Sequence, residues 1–268
     1  MARGVYTTTQ KNGNTIYRVS ITHKSKHISL GTYTDYQKAC SIYTEGRRII
    51  EDTNILLEDF SNFSIPHNKF VSLVNFRDNG LYFANPIYLR KQYFEYYLSP
   101  ELTLKFDRDD LFFYASHKIQ QRGGYLFVCD YGSQYKILSR YGIRPFAVYG
   151  RDYIMVNGDT NDYRYSNIMI INNYNGVSLS TSKGKDCYTT TIHIKGNYIV
   201  GRYSSEQEAA IAYNKAADIL HTNGFTKAYI KNYIPSLDKD EYIQLYKSTK
   251  VSKKLLGLTP DPMDKGSD

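Results

Sequence analysis

Two stretches of the chain change their hydrophobic period in the same way. From Cys187 to Leu220, Tyr188, Thr190, Ile192 and Ile194 fall on one side of a strand, and Thr189, Thr191 and His193 on the other. Lys195-Gly196-Asn197 is turn chemistry, and Tyr198 to Arg202 reads as the returning strand. The period then switches. Ala209, Ala212, Tyr213, Ala216 and Leu220 recur at helical spacing. Ser204 or Ser205 caps this helix, with Glu208 three residues after Ser205 as in a capping box. Small Ala side chains let a helix lie close across the apolar face of a small sheet. The opposite face is left with Thr, His, Lys and Asn.

The same unit runs from Tyr17 to Ile50. Tyr17, Val19 and Ile21 alternate with Arg18, Ser20 and Thr22; Lys24-Ser25-Lys26 make the turn, and Ile28 and Leu30 lead to Gly31. Gly31 matches Gly201, Ala39 matches Ala209 and Tyr43 matches Tyr213, each pair 170 residues apart. A third strand precedes each hairpin. Tyr6 to Thr9 connects through Asn12-Gly13, and Gly176 to Leu179 through the turn Thr181 to Lys185. Ala39, Tyr43, Ala209, Ala212, Tyr213 and Ala216 are expected in the core.

The order of strands, Gly-x-Tyr and a helix carrying Glu208-Ala209-Ala210-Ile211-Ala212-Tyr213 resembles the AP2 DNA-binding domain of plant transcription factors, which phage and bacterial proteins couple to an HNH homing nuclease. The first copy has Cys40 and Ser41 where the family prefers Ala, and the chain has no Trp to contact bases as plant members do. The resemblance implies a three-stranded antiparallel sheet on one helix, with the free sheet face in the major groove of double-stranded DNA. The contacting residues would then be Arg3, Arg18, Ser20, Thr22, Lys24, Lys26 and His27 in the first copy. In the second they would be Lys183, Lys185, Thr189, Thr191, His193, Lys195, Asn197 and Arg202. Arg18 suits a guanine edge and Asn197 an adenine edge, while Lys, Ser and Thr more often position on phosphates.

The chain between the copies is harder to read. The first helix should end near Asp52, and residues 53–106 form a connecting segment. Within it, Pro66 is a breaker, Lys69 to Phe83 reads as one or two strands around Asp78-Asn79-Gly80, and Pro86 to Leu98 as a short helix or a strand. Residues 107–175 read as a central module: short helices at Asp109 to Tyr114 and Tyr135 to Tyr141, and strands at Tyr125 to Cys129, Phe146 to Tyr149 and Tyr153 to Val156. The run Asn157-Gly158-Asp159 with Asp162, Arg164 and Asn167 resembles the end of an HNH nuclease. The family's Asp-His pair falls on Ile154 and Met155 and its middle Asn on Tyr163, none of which can activate water or hold a hard cation. The reading is a nuclease scaffold that has lost catalysis, with no metal or other cofactor, in which Arg164 pairs with a phosphate or with Asp159 or Asp162. The alternatives are a nuclease with an atypical site using His117, Asp152, Asp159 or Asp162, and a protein-interaction factor. Residues 176–234 form the second module; Leu237 to Tyr246 suggests a short helix, and Lys253 to Asp268 a flexible tail.

Charge sharpens this division. The formal net charge is +8. Residues 1–50 hold eight Lys or Arg against two acids, and residues 176–232 seven against four. Residues 51–175 are nearly balanced, with thirteen against fourteen, and the rest is balanced. The excess lies in the repeats, which suits two phosphate-contacting modules on a neutral spacer. The three Cys, at 40, 129 and 187, make neither a zinc pattern nor a disulfide framework. With no apolar run long enough to span a membrane and no leader, the expectation is a cytoplasmic, nucleoid-associated protein. The fold expected is α+β: two three-stranded antiparallel sheet-plus-helix modules flanking a degenerate HNH module. The function expected is non-catalytic, sequence-specific DNA binding in transcriptional regulation, by a monomer or a homodimer.

Overall fold

Both alternating stretches fold as strands, and both helical periods as helices lying across them. The structure is a computed structural model that describes residues 4–11, 13–182 and 184–260. The chain is α+β and divides into two units. One comprises the chain up to Ile137 together with Met155–Ile168; the other comprises Leu138–Ile154 and the chain from Met169 onward.

In the first unit, β1 (Val5–Thr9), β2 (Thr15–His23) and β3 (Lys26–Tyr33) form an antiparallel sheet in that order. Val19 pairs with Gly31 and Ser20 with Ser29, so Leu30 is the extra residue of a β-bulge. Its side chain is buried, with Val5, Val19, Ile21 and Ile28, against Ala39, Ile42 and Ile49 of α1 (Tyr36–Glu51). Asp35 caps α1 by accepting the Lys38 amide at 2.6 Å.

Segments expected as connections or strands are built differently. Lys69 to Phe83 is not a pair of strands. His67–Asn79 is a helix, α2, that starts after Pro66, and Asp78-Asn79-Gly80 ends it with Gly80 left-handed at φ 72°. Phe70, Leu73, Val74 and Phe76 recur at helical spacing and join the α1 core. Arg77 then donates to the carbonyls of Ile49, Asp52 and Ile55 at 2.7–3.0 Å, which satisfies the open C-terminal end of α1. Residues 53–106 are therefore folded onto the first repeat rather than merely connecting it.

Pro86 to Leu98 becomes β4 (Ile87–Leu89) and β5 (Tyr93–Ser99), which pair with β6 (Leu102–Asp107). Their aromatics fill a core in which Phe106 stacks on Phe94 and Tyr163 and packs against Tyr114 of α3 (Leu111–Ser116). A further sheet follows, formed by β7 (Ile119–Arg122), β8 (Tyr125–Asp130) and β9 (Ser133–Lys136). The helix expected at Tyr135 to Tyr141 is a 3-10 turn over Ile137–Tyr141. β10 (Tyr153–Met155) and β11 (Ile168–Ile170) make a two-stranded ribbon. Phe146 to Tyr149 is not a strand: Phe146 is left-handed, and the Asp152 carboxylate accepts the Val148 amide and closes a turn. Residues 107–175 are shared between the two units and do not form a body of their own.

The second unit repeats the first motif. β12 (Val177–Ser182), β13 (Lys185–His193) and β14 (Asn197–Tyr203) form the sheet, and α4 (Glu206–Thr222) the helix. Thr190 pairs with Gly201 and Thr191 with Ile199, so Val200 is the buried bulge residue where the first sheet has Leu30. Ser205 caps α4 through the Glu208 amide, as Asp35 caps α1. Ala209, Ala212 and Ala216 have no exposed surface, and Thr190 donates to the Ala209 carbonyl at 2.8 Å. The C-terminal region does not trail away. α5 (Lys239–Ser248) and α6 (Lys253–Leu256) pack Leu245, Tyr246 and the buried Leu255 onto this core. The part of the expected tail from Asp261 on lies outside the described residues.

A second identity is finer. Gly4 is left-handed at φ 89° and its carbonyl accepts the Ser20 amide at 3.0 Å; Gly176 is left-handed at φ 71° and accepts the Thr191 amide at 2.7 Å. A Cβ at either glycine would meet the ring of Tyr43 or Tyr213 and a strand carbonyl, at 2.1–2.6 Å. Each helix tyrosine thus packs closely against the glycine that opens its sheet. The substitution Gly176→Ala should therefore destabilise the protein by about 2–3 kcal/mol, from backbone strain and overpacking together. Urea unfolding measures this, and Gly13→Ala, at a glycine with open space around it, should cost less.

Candidate nucleic-acid interface

Burying one face of a three-stranded sheet under a helix leaves the other face to solvent. On the first sheet, register places Tyr6, Arg18 and Thr32 in one row, Ser20 and Ser29 in the next, and Thr22 and His27 in a third. On the second, the equivalent rows are Ser178, Thr189 and Arg202, then Thr191 and Ile199, then His193 and Asn197. The rows correspond in kind. Each sheet has one exposed arginine paired across strands with a threonine, but the arginine is on β2 in one sheet and on β14 in the other. Neither guanidinium has a hydrogen-bond or ion-pair partner among the described residues. Each sheet also has one exposed histidine tied across strands to a polar side chain. His27 Nδ1 lies 3.4 Å from Thr22 Oγ1, and His193 Nδ1 lies 3.0 Å from Asn197 Oδ1. Both rings are exposed, and each contact gives its imidazole one cross-strand neighbour.

The structure brings Arg18, Thr22 and His27 together on one face, and Thr189, Thr191, His193, Asn197 and Arg202 on the other. Lys185 is exposed at the start of β13, and Lys195 at the β13–β14 turn. The structure bears on four of these residues, and at Arg164 it shows one of the expected partners, Asp162. Ser20 lies in the outer row but is 8% exposed, so it supports the face rather than reaching from it. Lys24 and Lys26 extend over the rings of Phe76 and Tyr82, at 6.0 and 5.7 Å, because α2 packs beside their turn. Arg164 is engaged by Asp162, described below. Arg3 and Lys183 lie outside the described residues, as does Asn12 of the first hairpin turn. The alternation also missed residues that register supplies. Tyr6, 57% exposed, stands beside Arg18, and Ile199, 52% exposed, stands in the Thr191 row as an exposed apolar side chain. Only strand pairing could have shown them, since β1 and β14 carry no clear polar stripe of their own.

The run Asn157 to Asn167 is a tightly bonded loop. Arg164 donates to both Asp162 oxygens at 2.8 and 2.6 Å, Asn157 donates to Asp162 at 2.9 Å, and Asp162 has no exposed side-chain surface. Asp159 accepts from Lys105 at 3.0 Å. Asn167 accepts the Asn157 amide and donates to the Asp162 carbonyl. Tyr163 and Met155 are core residues. His117 stacks on Phe113 at 4.2 Å, with Nδ1 2.9 Å from the Phe113 carbonyl and Nε2 3.4 Å from Asp130. In the second unit Asp152 is bound by Arg144, Arg151, Asn172 and the Val148 amide. The carboxylates of the HNH-like reading are thus each held by protein cations. Among the described residues, no three His, Cys, Asp or Glu side chains come together as a metal site.

Burial opposes ionisation of Asp162 and Asp152. The hydrogen bonds from Arg164 and Arg151, with the others each receives, outweigh it and hold both carboxyls below the usual carboxylate range. Lys105 does the same for Asp159. A depressed folded pKa gives stability that is fully present above the unfolded value of about 4 and is lost as pH falls through the lower folded values.

No protein-family model, curated protein or solved structure matches the chain. No helix among the described residues is long and apolar enough to cross a membrane.

Two outcomes follow from the carboxylate clusters. The share of the urea midpoint owed to these carboxylates should be flat from pH 7 to about pH 5 and drop steeply below about pH 4, whereas His23 and His67, whose pKa values burial lowers, give a shallower loss that begins at about pH 6.5. The substitution Asp162→Ala should cost about 3 kcal/mol, because it strips several hydrogen bonds at once and leaves Arg164 unpaired over the core; the acid limb of the urea profile should be shallower in this variant.

Proposed function

We propose that this protein binds double-stranded DNA through the outer faces of its two three-stranded sheets. In this reading the sheet-plus-helix units are AP2-like modules, and the HNH-like loop between them is a structural remnant without catalysis. The protein then acts as a sequence-specific, nucleoid-associated regulator of transcription. The observation that carries the reading is the repetition of one surface at equivalent register: an unpartnered arginine beside a threonine, and a histidine braced across strands. A guanidinium with no carboxylate beside it is available for a guanine edge or a phosphate, and a two- to three-stranded ribbon fits the width of the major groove. The concentration of positive charge in the two repeats supports the same partner. Two modules on one chain bind a bipartite site more tightly than either alone, through effective concentration.

Selection from a random duplex pool should return a site with two separated half-sites. On that site, Arg18→Ala and Arg202→Ala should each weaken binding by about tenfold or more, relaxing preference at different half-sites. Affinity should fall steeply between about 50 and 200 mM salt. Fluorescence anisotropy measures both effects. Absence of duplex retardation at low salt would remove the reading. Magnesium-dependent plasmid nicking abolished by Asp159→Asn or Asp162→Asn would replace the non-catalytic part with an active nuclease.

A further inference from the structure

The sheet of β7, β8 and β9 in the first unit is built differently from the two sheets backed by long helices. Register sorts its side chains onto two faces. On one face Ile119, Val128 and Tyr135 share a row, and Leu126 and Asp130 stand on the same side. Ile119 and Val128 are buried there, and the Ile119 amide donates to the Tyr96 hydroxyl at 3.1 Å. Asp130 lies 3.4 Å from His117 Nε2. This face is therefore turned toward β5 and the end of α3.

The other face is open. Its rows are Arg122 with Tyr125, then Gln120 with Phe127 and Lys136, then Cys129 with Gln134. Phe127 is buried in the middle, and Gln120, Arg122, Tyr125, Cys129 and Gln134 are exposed around it. The face carries two cations and no acid. Tyr125 is its centre, with a ring 63% exposed. Arg122 is the direct cross-strand partner of Tyr125, and Lys136 reaches the ring from β9, with Nζ 4.5 Å from the centroid. The Arg122 guanidinium has no hydrogen-bond or ion-pair partner among the described residues.

The tip of the β8–β9 hairpin adds a second ring. Tyr131 and Gly132 are left-handed at φ 46° and 80°, the pattern of a two-residue hairpin turn. Asn, Asp or Gly is usual at the first of these positions, and a bulky residue is strained there. Tyr131 is nonetheless fully exposed, so no packing within the chain offsets the strain. Along β8 the two tyrosines are about 20 Å apart.

Exposed rings beside cations, with amides between them and no carboxylate, match an unpaired nucleic-acid strand: bases stack on the rings and backbone phosphates meet the cations. The bases of a duplex are already stacked on one another and offer no faces to such a surface. An acidic protein segment would use the cations and leave the rings idle. We infer that this open face binds single-stranded DNA, with one base on Tyr125 and another on Tyr131. The single strand follows from the side chains of this sheet; the choice of DNA over RNA rests on the duplex-binding reading of the other two sheets.

The test uses the full chain and the fluorescence anisotropy of labelled oligothymidylate, oligouridylate and a mixed-sequence duplex, each about 12 nucleotides long. Oligothymidylate should bind with a Kd below about 100 μM at about 50 mM salt, and more tightly than oligouridylate. Tyr125→Ala should weaken this binding by about tenfold, the loss of one stacked base, and leave duplex affinity unchanged. Arg122→Gln should weaken it several-fold and lower the slope of log affinity against log salt by about 0.7. Tyr131→Gly should weaken it several-fold while the urea midpoint holds or rises, whereas a purely structural turn would show no loss of binding. Loss of duplex binding with oligothymidylate binding intact removes the duplex reading and leaves this one standing. The inference is overturned by absence of oligothymidylate binding, which leaves the face to a protein, by tighter binding of oligouridylate, or by affinity indifferent to both Tyr125→Ala and Arg122→Gln.

Discussion

The geometry depends on a close approach between a helix and a short sheet. Three strands are too few to bury both faces, so one face must be covered completely for the unit to be stable. Alanines at 209, 212 and 216 let α4 come near enough to bury Thr190 and satisfy its hydroxyl on the helix backbone. α1 achieves the same with Ala39 and Gly46, where Leu30 lies so near that a Cβ on Gly46 would meet its side chain. The tyrosine on each helix then closes the sheet's edge over a left-handed glycine. With one face sealed in this way, whatever the alternate residues carry is presented outward on a stiff support.

That support also shapes the outer faces. A β-bulge in the third strand of each unit, at Leu30 and at Val200, turns an extra apolar side chain inward and increases the local twist. Beyond it, Thr22 with His27 and His193 with Asn197 form braced pairs near the hairpin tips. The arginine rows lie on the other side of the bulge. Each face therefore carries two chemically distinct zones separated by a fixed kink. The two faces are not copies: exchange of arginine between strands and the replacement of Ser29 by Ile199 at equivalent register give each its own pattern.

The remaining structure supports these units with polar networks as well as with apolar packing. Arg77 ties α2 to the end of α1, Asn214 links α4 to Asn232 and Tyr242, and Lys215 holds the last turn of α5 and the residue after it through the Tyr246 and Thr249 carbonyls. The loop around Asp162 belongs to the same class. Its buried carboxylate organises Asn157, Arg164 and the backbone after it, a structural role that needs the same residue types a metal site would use.

Much of the architecture was legible before any coordinates. The duplicated switch from period 2 to helical period located both sheets and both helices, because one-sided burial writes itself directly into the order of side chains. The inward roles of Ala39, Ala209, Ala212 and Ala216 followed from the same pattern. What the tertiary structure decided was whatever depends on residues distant in sequence. Asp78-Asn79-Gly80 serves equally as a hairpin turn or a helix end, and only the burial of Phe70, Leu73 and Val74 on α1 selects the helix. Lys24 and Lys26 stay exposed beside the rings of Phe76 and Tyr82, and of the partners open to Arg164 the fold selects Asp162. The matched arginine–threonine rows emerge only once the strands are paired, because the bulge shifts register within a strand. The open face of the β7–β9 sheet likewise exists only through pairing, which sets Arg122 and Lys136 beside Tyr125 and turns Asp130 to the opposite side, a sorting that no local pattern encodes.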